Sequence, residues 1–419
     1  MLRSEAELNK FMEDRRQLGI KPGLERLDYL LQRVGHPQKS IPTIHIAGTN
    51  GKGSTLAYLK EILIESDYRV GTFQSPGLPT VFNHMAINNH SITLEEFLAI
   101  LNEVLPIIEE MDDLGFSPSE YEILMVITLV YFKDSIDVAI IEAAMGGRED
   151  VTNRVDPLVT IITTIGMDHF KFLGNSLEQI ASHKAGIIKE QVPVIIGDLD
   201  AISIKVVKDE ANRRNAPIFC YNTDFWSTIH ASQTFTWHSQ DQAYQVKLSM
   251  LGDHQIHNAM LAIQAIELLK KKGFQITEKA IKTGLWSTKV PNRIEMISKH
   301  PKVIIDGAHN VQSVTKLIDT LKNEKVAGEI KVLFSAFRDK EISEMLGIIS
   351  KLTDQITVTT FPHQRALTSE LINDHINYKK NPLQAINEIL SNCESKDMVI
   401  ITGSLHFVDY IKANISGSL

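Results

Sequence analysis

The sequence predicts an α/β protein of two domains, the first built on a parallel sheet with helices on both faces. Three observations carry this expectation. At 419 residues the chain exceeds the size at which a single core stops growing. From about Ile41 to Gly197, short β-branched runs alternate with helical patterns, the spacing of crossover units. A break near Pro291-Asn292 is followed by the same rhythm again, long enough to build its own core. The expected domains are therefore 1–291 and 292–419.

In chain order, the first strands are PTIHIAG, YRVGTF, DVAIIEAA, LVTIITTI and VPVIIG, with helices STLAYLKEILIES and TLEEFLAILNEVLPIIEEM between them. From Tyr221 to about Met250 the texture becomes polar, aromatic and loosely alternating, which predicts a small antiparallel insertion. A helix follows, with Ala259, Ile263 and Ile266 at helical spacing. After the break, KVIIDGA, EIKVLFSAF, QITVTTF and DMVIITG read as strands with helices between them.

Composition excludes several classes of function. The formal net charge is -8, against the basic bias of a general nucleic-acid binder. The longest apolar run, Ile123 to Phe132, is too short to span a bilayer. The first residues are charged and lack the apolar core of a secretory leader. Cys220 and Cys393 stand far apart, without a CxxC or Cys/His cluster. A cytoplasmic protein without disulfides or zinc is the expectation.

The strongest local signal is Ala47-Gly48-Thr49-Asn50-Gly51-Lys52-Gly53-Ser54-Thr55, between an apolar strand and a helix. Glycines there let backbone N–H groups approach phosphate oxygens, and the helix N-terminus favours an anion. Lys52 supplies a mobile cation. The spacing is not GxxxxGK[ST], because two residues separate Gly48 from Gly51 and Gly53 follows the lysine. Downstream, Glu142 ends the run DVAIIE and Asp168-His169 ends LVTIITTIGMDH, at the strand edge where open α/β sheets bind ligands. With Ser75, these groups are placed to gather round a divalent ion. On residue type alone, Glu142 reads equally as a solvated strand-end carboxylate, whereas His169 reads sooner as a helix-capping histidine and Lys184 sooner as an exposed helical lysine.

The loop GTNGKGS resembles that of the Mur ligase superfamily, and within it the folylpolyglutamate synthase/dihydrofolate synthase family. The resemblance continues in order through KPGLERL, QSP, EAAMGGREDVTN, TTIGMDHFKFLG, HKAGIIK, LGDHQIHNA, PNRIE, DGAHN and TGSLHF. It implies a P-loop-type ATPase domain followed by a Rossmann-like ligase domain, and ligation of glutamate to a folate-type carboxylate through an acyl phosphate. It assigns ATP contacts to Thr49, Asn50, Gly51, Lys52, Gly53, Ser54, Thr55, Asn258, Arg293, Asp306 and His309. It assigns metal ligation to Ser75, Glu142 and His169, and a catalytic role to these last two with Lys52 and Lys184. Lys184 is the lysine that relatives carbamylate. Gly23, Tyr121, Glu149 and Asp150 become the substrate contacts. ATP, two Mg²⁺ ions and optionally a monovalent cation are the implied cofactors, in a monomer acting on small molecules, with no nucleic-acid or membrane partner.

The chain departs from the family pattern at identifiable points. The loop usually written TSPHL reads Gln74-Ser75-Pro76-Gly77-Leu78, so glycine replaces its histidine, and His84-Met85 replaces a following acid-arginine pair. His183 stands where an acid usually precedes the lysine, and Asn292 where the hinge usually has glycine. Glu149 replaces a leucine and Tyr121 a phenylalanine. Two other functions fit a nucleotide loop of this kind: a Mur-type ligase acting on a cell-wall precursor, and a nucleotide-binding regulator without turnover.

Overall fold

A computed structural model describes residues 1–19, 21–168, 170–322, 324, 326–372 and 376–415. The chain divides into two compact units, Met1–Ser249 with Gln255–Thr288, and Met250–His254 with Lys289–Leu419. The first unit opens with α1 (Glu5–Gln17) and α2 (Glu25–Arg33), then β1 (Thr43–Ala47), α3 (Lys52–Ile64) and β2 (Val70–Phe73). A short antiparallel pair, β3 (Met85–Ile87) and β4 (His90–Ser91), precedes α4 (Leu94–Asp113) and α5 (Glu120–Phe132). Then come β5 (Val138–Glu142), β6 (Pro157–Ile162), α6 (Phe170–Leu173), α7 (Leu177–Ala185), β7 (Val194–Ile196), α8 (Ala201–Arg213) and β8 (Ile218–Cys220).

These strands form one sheet in the order β4-β3-β2-β5-β1-β6-β7-β8. It is parallel except where β3 and β4 turn back along one edge. Central strands β1 and β5 are buried throughout, as a sheet covered on both faces requires. The helices start where the sequence offers caps. Thr93 with Glu96, and Ser119 with Glu122, close capping boxes at α4 and α5. The apolar run Ile123–Phe132 lies in α5, in a core cluster shared with α1, α2 and α4.

The expected insertion is a three-stranded antiparallel sheet of β9 (Phe225–Ala231), β10 (Thr234–Ser239) and β11 (Ala243–Lys247). Its alternating pattern buries Phe235, Trp237, Tyr244 and Val246. Helix α9 (Asp253–Lys271) follows, then α10 (Glu278–Ser287), which packs on α3. Gly284 permits that contact, since a Cβ there would sit 2.6 Å from the Ile62 backbone.

The second unit comprises β12 (Glu295–Lys299), β13 (Lys302–Asp306), α11 (Val311–Lys322), β14 (Ile330–Phe334), α12 (Ile342–Ile349), β15 (Ile356–Thr359), β16 (Asn377–Lys379), α13 (Pro382–Ser391), β17 (Met398–Thr402) and α14 (Leu405–Ile415). The strand order is β12-β13-β17-β14-β15-β16, with only β12 antiparallel to its neighbour among the described strands. Alternate residues feed separate cores. Ile304, Val332 and Ile400 join one cluster, while Val303, Leu333 and Val399 join the other. Both faces of the sheet are therefore covered, and the two-part α/β architecture read from the sequence is the one observed.

Candidate active site

The phosphate loop begins where β1 ends. Gly51 caps α3 with φ 88°, and a Cβ there would run into the Asn258 side chain. Only glycine suits both constraints. The loop is braced from the segment after β6. Thr49 N–H donates to the Thr164 carbonyl (2.8 Å) and Asn50 N–H to the Thr164 hydroxyl (2.9 Å). The Thr163 and Thr164 hydroxyls donate to the Asn50 carbonyl at 2.6 and 3.0 Å, and Thr49 and Gly166 are joined at 3.0 Å. These threonines belong to the TTIG segment, whose site role was not legible in residue type. Their signal was their position at a strand's C-terminal end.

Lys52 reaches back over this loop. Its Nζ donates to the Gly48 carbonyl (3.0 Å) and lies 3.8 Å from Glu142 Oε1. Glu142, 4% exposed at the end of β5, also stands 3.5 Å from where a Gly53 Cβ would be. Ser54 and Thr55 are buried in the first turn of α3, and the Thr55 hydroxyl has no hydrogen-bond partner. Asn258 is buried on α9, where it donates to Gln255 Oε1 (3.1 Å) and faces Gly51. One neighbourhood thus collects a cation, a carboxylate, a helix N-terminus, an unsatisfied hydroxyl and an amide.

Tyr121 and Asp150 lie nearby. Burial raises the Tyr121 phenol well above its ordinary pKa, and the Asp150 and Glu142 charges push the same way against the Ser75 hydroxyl. Those residues therefore share one electrostatic environment. Asp150 is buried, and its carboxylate is already engaged by its own loop. Met145 N–H (2.8 Å), Thr152 N–H (3.0 Å) and the Thr152 hydroxyl (2.6 Å) all donate to it. Burial nonetheless raises its pKa. Glu149, its neighbour, is exposed. Gly23 adopts φ 92° in the turn before α2, and that helix is tied to α5 by Arg26 and Glu122 at 3.1 Å.

The loop after β2 differs from its expected form in an informative way. His84 Nδ1–H donates to the Gln74 carbonyl (2.8 Å), and Gly77 N–H donates to His84 Nε2 (3.3 Å). The ring stacks at 5.9 Å on Phe73 and meets Tyr121 at 6.0 Å. Burial lowers the pKa of His84, favouring the neutral ring that this pattern needs.

Lys184 is 3% exposed on α7, so the surface-lysine reading does not describe it. Burial first, then the charge of Lys52, bring its pKa down to about 7, against Asp168 and Asp150. Asp168 is buried, while His169 lies outside the described residues. Among the described residues no group of three or more His, Cys, Asp or Glu side chains is arranged to hold a metal ion. The oxygen donors at hand are Ser75, Glu142 and the orphaned Thr55 hydroxyl, the hard donor type that Mg²⁺ prefers.

In the second unit, buried Asp306 at the end of β13 accepts N–H groups from Ile294 and Ala308, both at 2.8 Å. Burial raises its pKa and the Arg293 charge opposes that rise. His309 Nδ1–H donates to the Gly307 carbonyl at 2.9 Å. Asn292 takes φ 60°, the left-handed geometry for which asparagine is the best substitute for glycine.

Comparison with known proteins identifies relatives of the whole chain. Residues 118–266 match the Mur ligase middle domain and residues 292–405 the Mur ligase glutamate ligase domain. The chain is 35% identical to a Bacillus subtilis dihydrofolate synthase/folylpolyglutamate synthase over 98% of each chain. It is 30% identical to a Saccharomyces cerevisiae dihydrofolate synthetase, covering 93% of this chain and 96% of the relative. A Mycobacterium tuberculosis folylpolyglutamate synthase structure complexed with ADP superposes with a TM-score of 0.90 at 27% identity, over 98% of each chain. With the phosphate loop, its companions and this likeness over nearly the whole length, the chain belongs to the folylpolyglutamate synthase/dihydrofolate synthase family of ATP-dependent amide ligases.

Proposed function

We propose that this enzyme binds ATP on the Gly48–Thr55 loop and uses it to join L-glutamate to a folate-type carboxylate. The acceptor is dihydropteroate, a reduced folate already carrying glutamate, or both. The observation that carries the reading is Lys52, held between the Gly48 carbonyl and Glu142 at the N-terminus of α3. The relatives' ligands support it: ADP in the Mycobacterium tuberculosis structure, and DHPP with ADP in one from Escherichia coli at 26% identity.

A carboxylate resists attack by an amine, so it must first be activated. The acceptor carboxylate oxygen attacks the γ-phosphorus of ATP, ADP leaves, and an acyl phosphate forms. The amine of glutamate then attacks the acyl carbon, phosphate departs, and the amine gives up a proton. Lys52 and the loop amides offset charge on the phosphoryl group as it transfers. Thr163 and Thr164 hold the loop in the shape this needs. Ser75, Glu142 and His169 are the residues we propose to hold Mg²⁺, which when bound would neutralise phosphate charge. Gly23, Tyr121, Glu149 and Asp150 are the proposed acceptor contacts, with Asp150 acting through the shape of its own loop. Asn258 is proposed for the adenine. In the second unit, Arg293, Asp306 and His309 are our candidates for further nucleotide contacts.

Lys184 is proposed as a carbamylation site. Its neutral amine would attack CO₂, lose a proton to solvent and become a carboxylate, removing a buried positive charge close to Lys52. A monomer is proposed on the strength of the resemblance. A cytoplasmic location is proposed because both cysteines are free and, among the described residues, no helix is long and apolar enough to cross a membrane.

The test is ADP release with glutamate and, in parallel, dihydropteroate, tetrahydrofolate or a cell-wall precursor. Turnover dependent on either pterin compound is expected. Turnover with the cell-wall precursor alone would replace the acceptor class. Nucleotide binding without turnover on any acceptor would leave a regulator instead.

A further inference from the structure

The Gln74–Gly77 loop is held by one side chain that no role yet explains. Gln74 and Gly77 bracket the dipeptide Ser75-Pro76, and residue 84 is bonded to both sides of it. Gln74 N–H donates to the His84 carbonyl (2.9 Å), His84 Nδ1–H donates to the Gln74 carbonyl, and Gly77 N–H donates to His84 Nε2. The ring also fills the space a side chain at position 77 would need. A Cβ on Gly77 would fall 2.6 Å from the ring Cγ and 2.7 Å from the residue 84 nitrogen. Glycine at 77 and histidine at 84 are therefore one packing solution.

What the clamp fixes is chemically consequential. Ser75 lies beside the buried Tyr121 phenol, in the environment shared with Asp150 and Glu142. The His84 ring packs on both Phe73, stacked, and Tyr121, edge-on. The loop thus cannot shift without moving Ser75 relative to Tyr121.

We propose that His84 is a positioning residue for the acceptor: its imidazole, standing in the place of a residue 77 side chain, locks the Gln74–Gly77 loop against Phe73 and Tyr121 to shape the acceptor pocket. This rests on the reading that the acceptor binds beside Tyr121. Both ring nitrogens are spent on the backbone of the loop, so His84 acts through that loop and exchanges no proton with substrate.

Two measurements test the clamp and its use separately. Hydrogen exchange of the peptide spanning Gln74 to Thr80, on ligand-free enzyme, reads the clamp itself. His84→Ala should speed exchange there about tenfold, while His84→Gln, which can both donate and accept, should retain much of the protection. Steady-state kinetics read its use. His84→Ala should raise the KM for the pterin acceptor about tenfold, with the KM values for ATP and glutamate within about twofold. Gly77→Ala, which leaves His84 intact but crowds its ring, should raise the same KM. Unchanged exchange in His84→Ala would overturn the clamp. Faster exchange with an unchanged acceptor KM would overturn the positioning role. If wild-type enzyme turns over no pterin acceptor, the functional reading fails instead, whatever the exchange shows.

Discussion

Lys52 and Lys184 show how differently two neighbouring lysines behave, and how much of that difference the sequence conceals. Lys52 was legible because glycine density, a preceding strand and a following helix agree on one chemistry. We expect Lys52→Ala to lower kcat by about 10² to 10³, the usual effect of losing a positioned cation, with Tm nearly unchanged. Near-wild-type turnover would remove the loop from the mechanism. Lys184 was legible only by resemblance, since a lysine in LEQIASHKA reads as a solvated helix face. The fold buries it because Gly147 and Gly186 let the loop after β5 close on the end of α7. Its pKa, brought to about 7, sets the sign of a pH effect. Above that pH the folded amine is neutral while the unfolded one still carries its proton up to its ordinary pKa of about 10.4. The unmodified lysine therefore makes stability rise between about pH 7 and pH 10, and its destabilising effect is full below pH 7. Lys184→Met should abolish turnover yet raise the Tm of enzyme prepared without CO₂, most clearly at or below pH 7. A melting temperature unchanged or lowered at that pH would mean the lysine is not a buried cation. Short carboxylic acids should partly restore activity to Lys184→Ala, which tests the carboxylate role directly.

At the scale of elements, what the sequence made readable was whatever repeats a pattern. Strands β1, β2, β5, β6 and β7 and strands β13, β14, β15 and β17 are rich in β-branched and apolar residues and largely buried, because both faces of each sheet are covered. The strands left unread are β3, β4, β8, β12 and β16, short or lying at sheet edges, without a long β-branched run. Composition reports burial, and an edge strand such as His90–Ser91 is exposed. The threonine brace of the phosphate loop was hidden for a related reason. Thr163 and Thr164 act through register, since β6 pairs beside β1 and brings their hydroxyls to Asn50. Packing of α10 on α3 is likewise a matter of register, and it gives a sharp prediction. Gly284→Ala sets a methyl group against the Ile62 backbone, which cannot rotate away. We expect a loss of about 1–3 kcal/mol of unfolding free energy by urea titration, the usual cost of overpacking. Since α3 also presents the phosphate loop, its nucleotide affinity should fall as well. A variant as stable as wild type would mean the two helices stand further apart than described.

For the molecule as a whole, the division into two units with separate cores makes one melting temperature an incomplete description. Units that are each large enough to fold need not unfold together. In the absence of ligand, calorimetry should therefore give a van't Hoff enthalpy below the calorimetric one, or two resolved transitions. A nonhydrolysable ATP analogue then becomes a probe of where nucleotide binds. Ligand at about 100 times its Kd stabilises whatever folded unit it occupies by about 2.7 kcal/mol. The transition of the first unit must move, since Lys52, Asn258 and the braced loop all belong to it. If Arg293 and Asp306 also contact the nucleotide, the transition of the second unit moves with it. Arg293→Ala should then cancel the second shift and spare most of the first. A second transition that ignores the analogue in wild-type enzyme would confine nucleotide binding to the first unit and leave Asp306 a structural acceptor for the Ile294 and Ala308 amides.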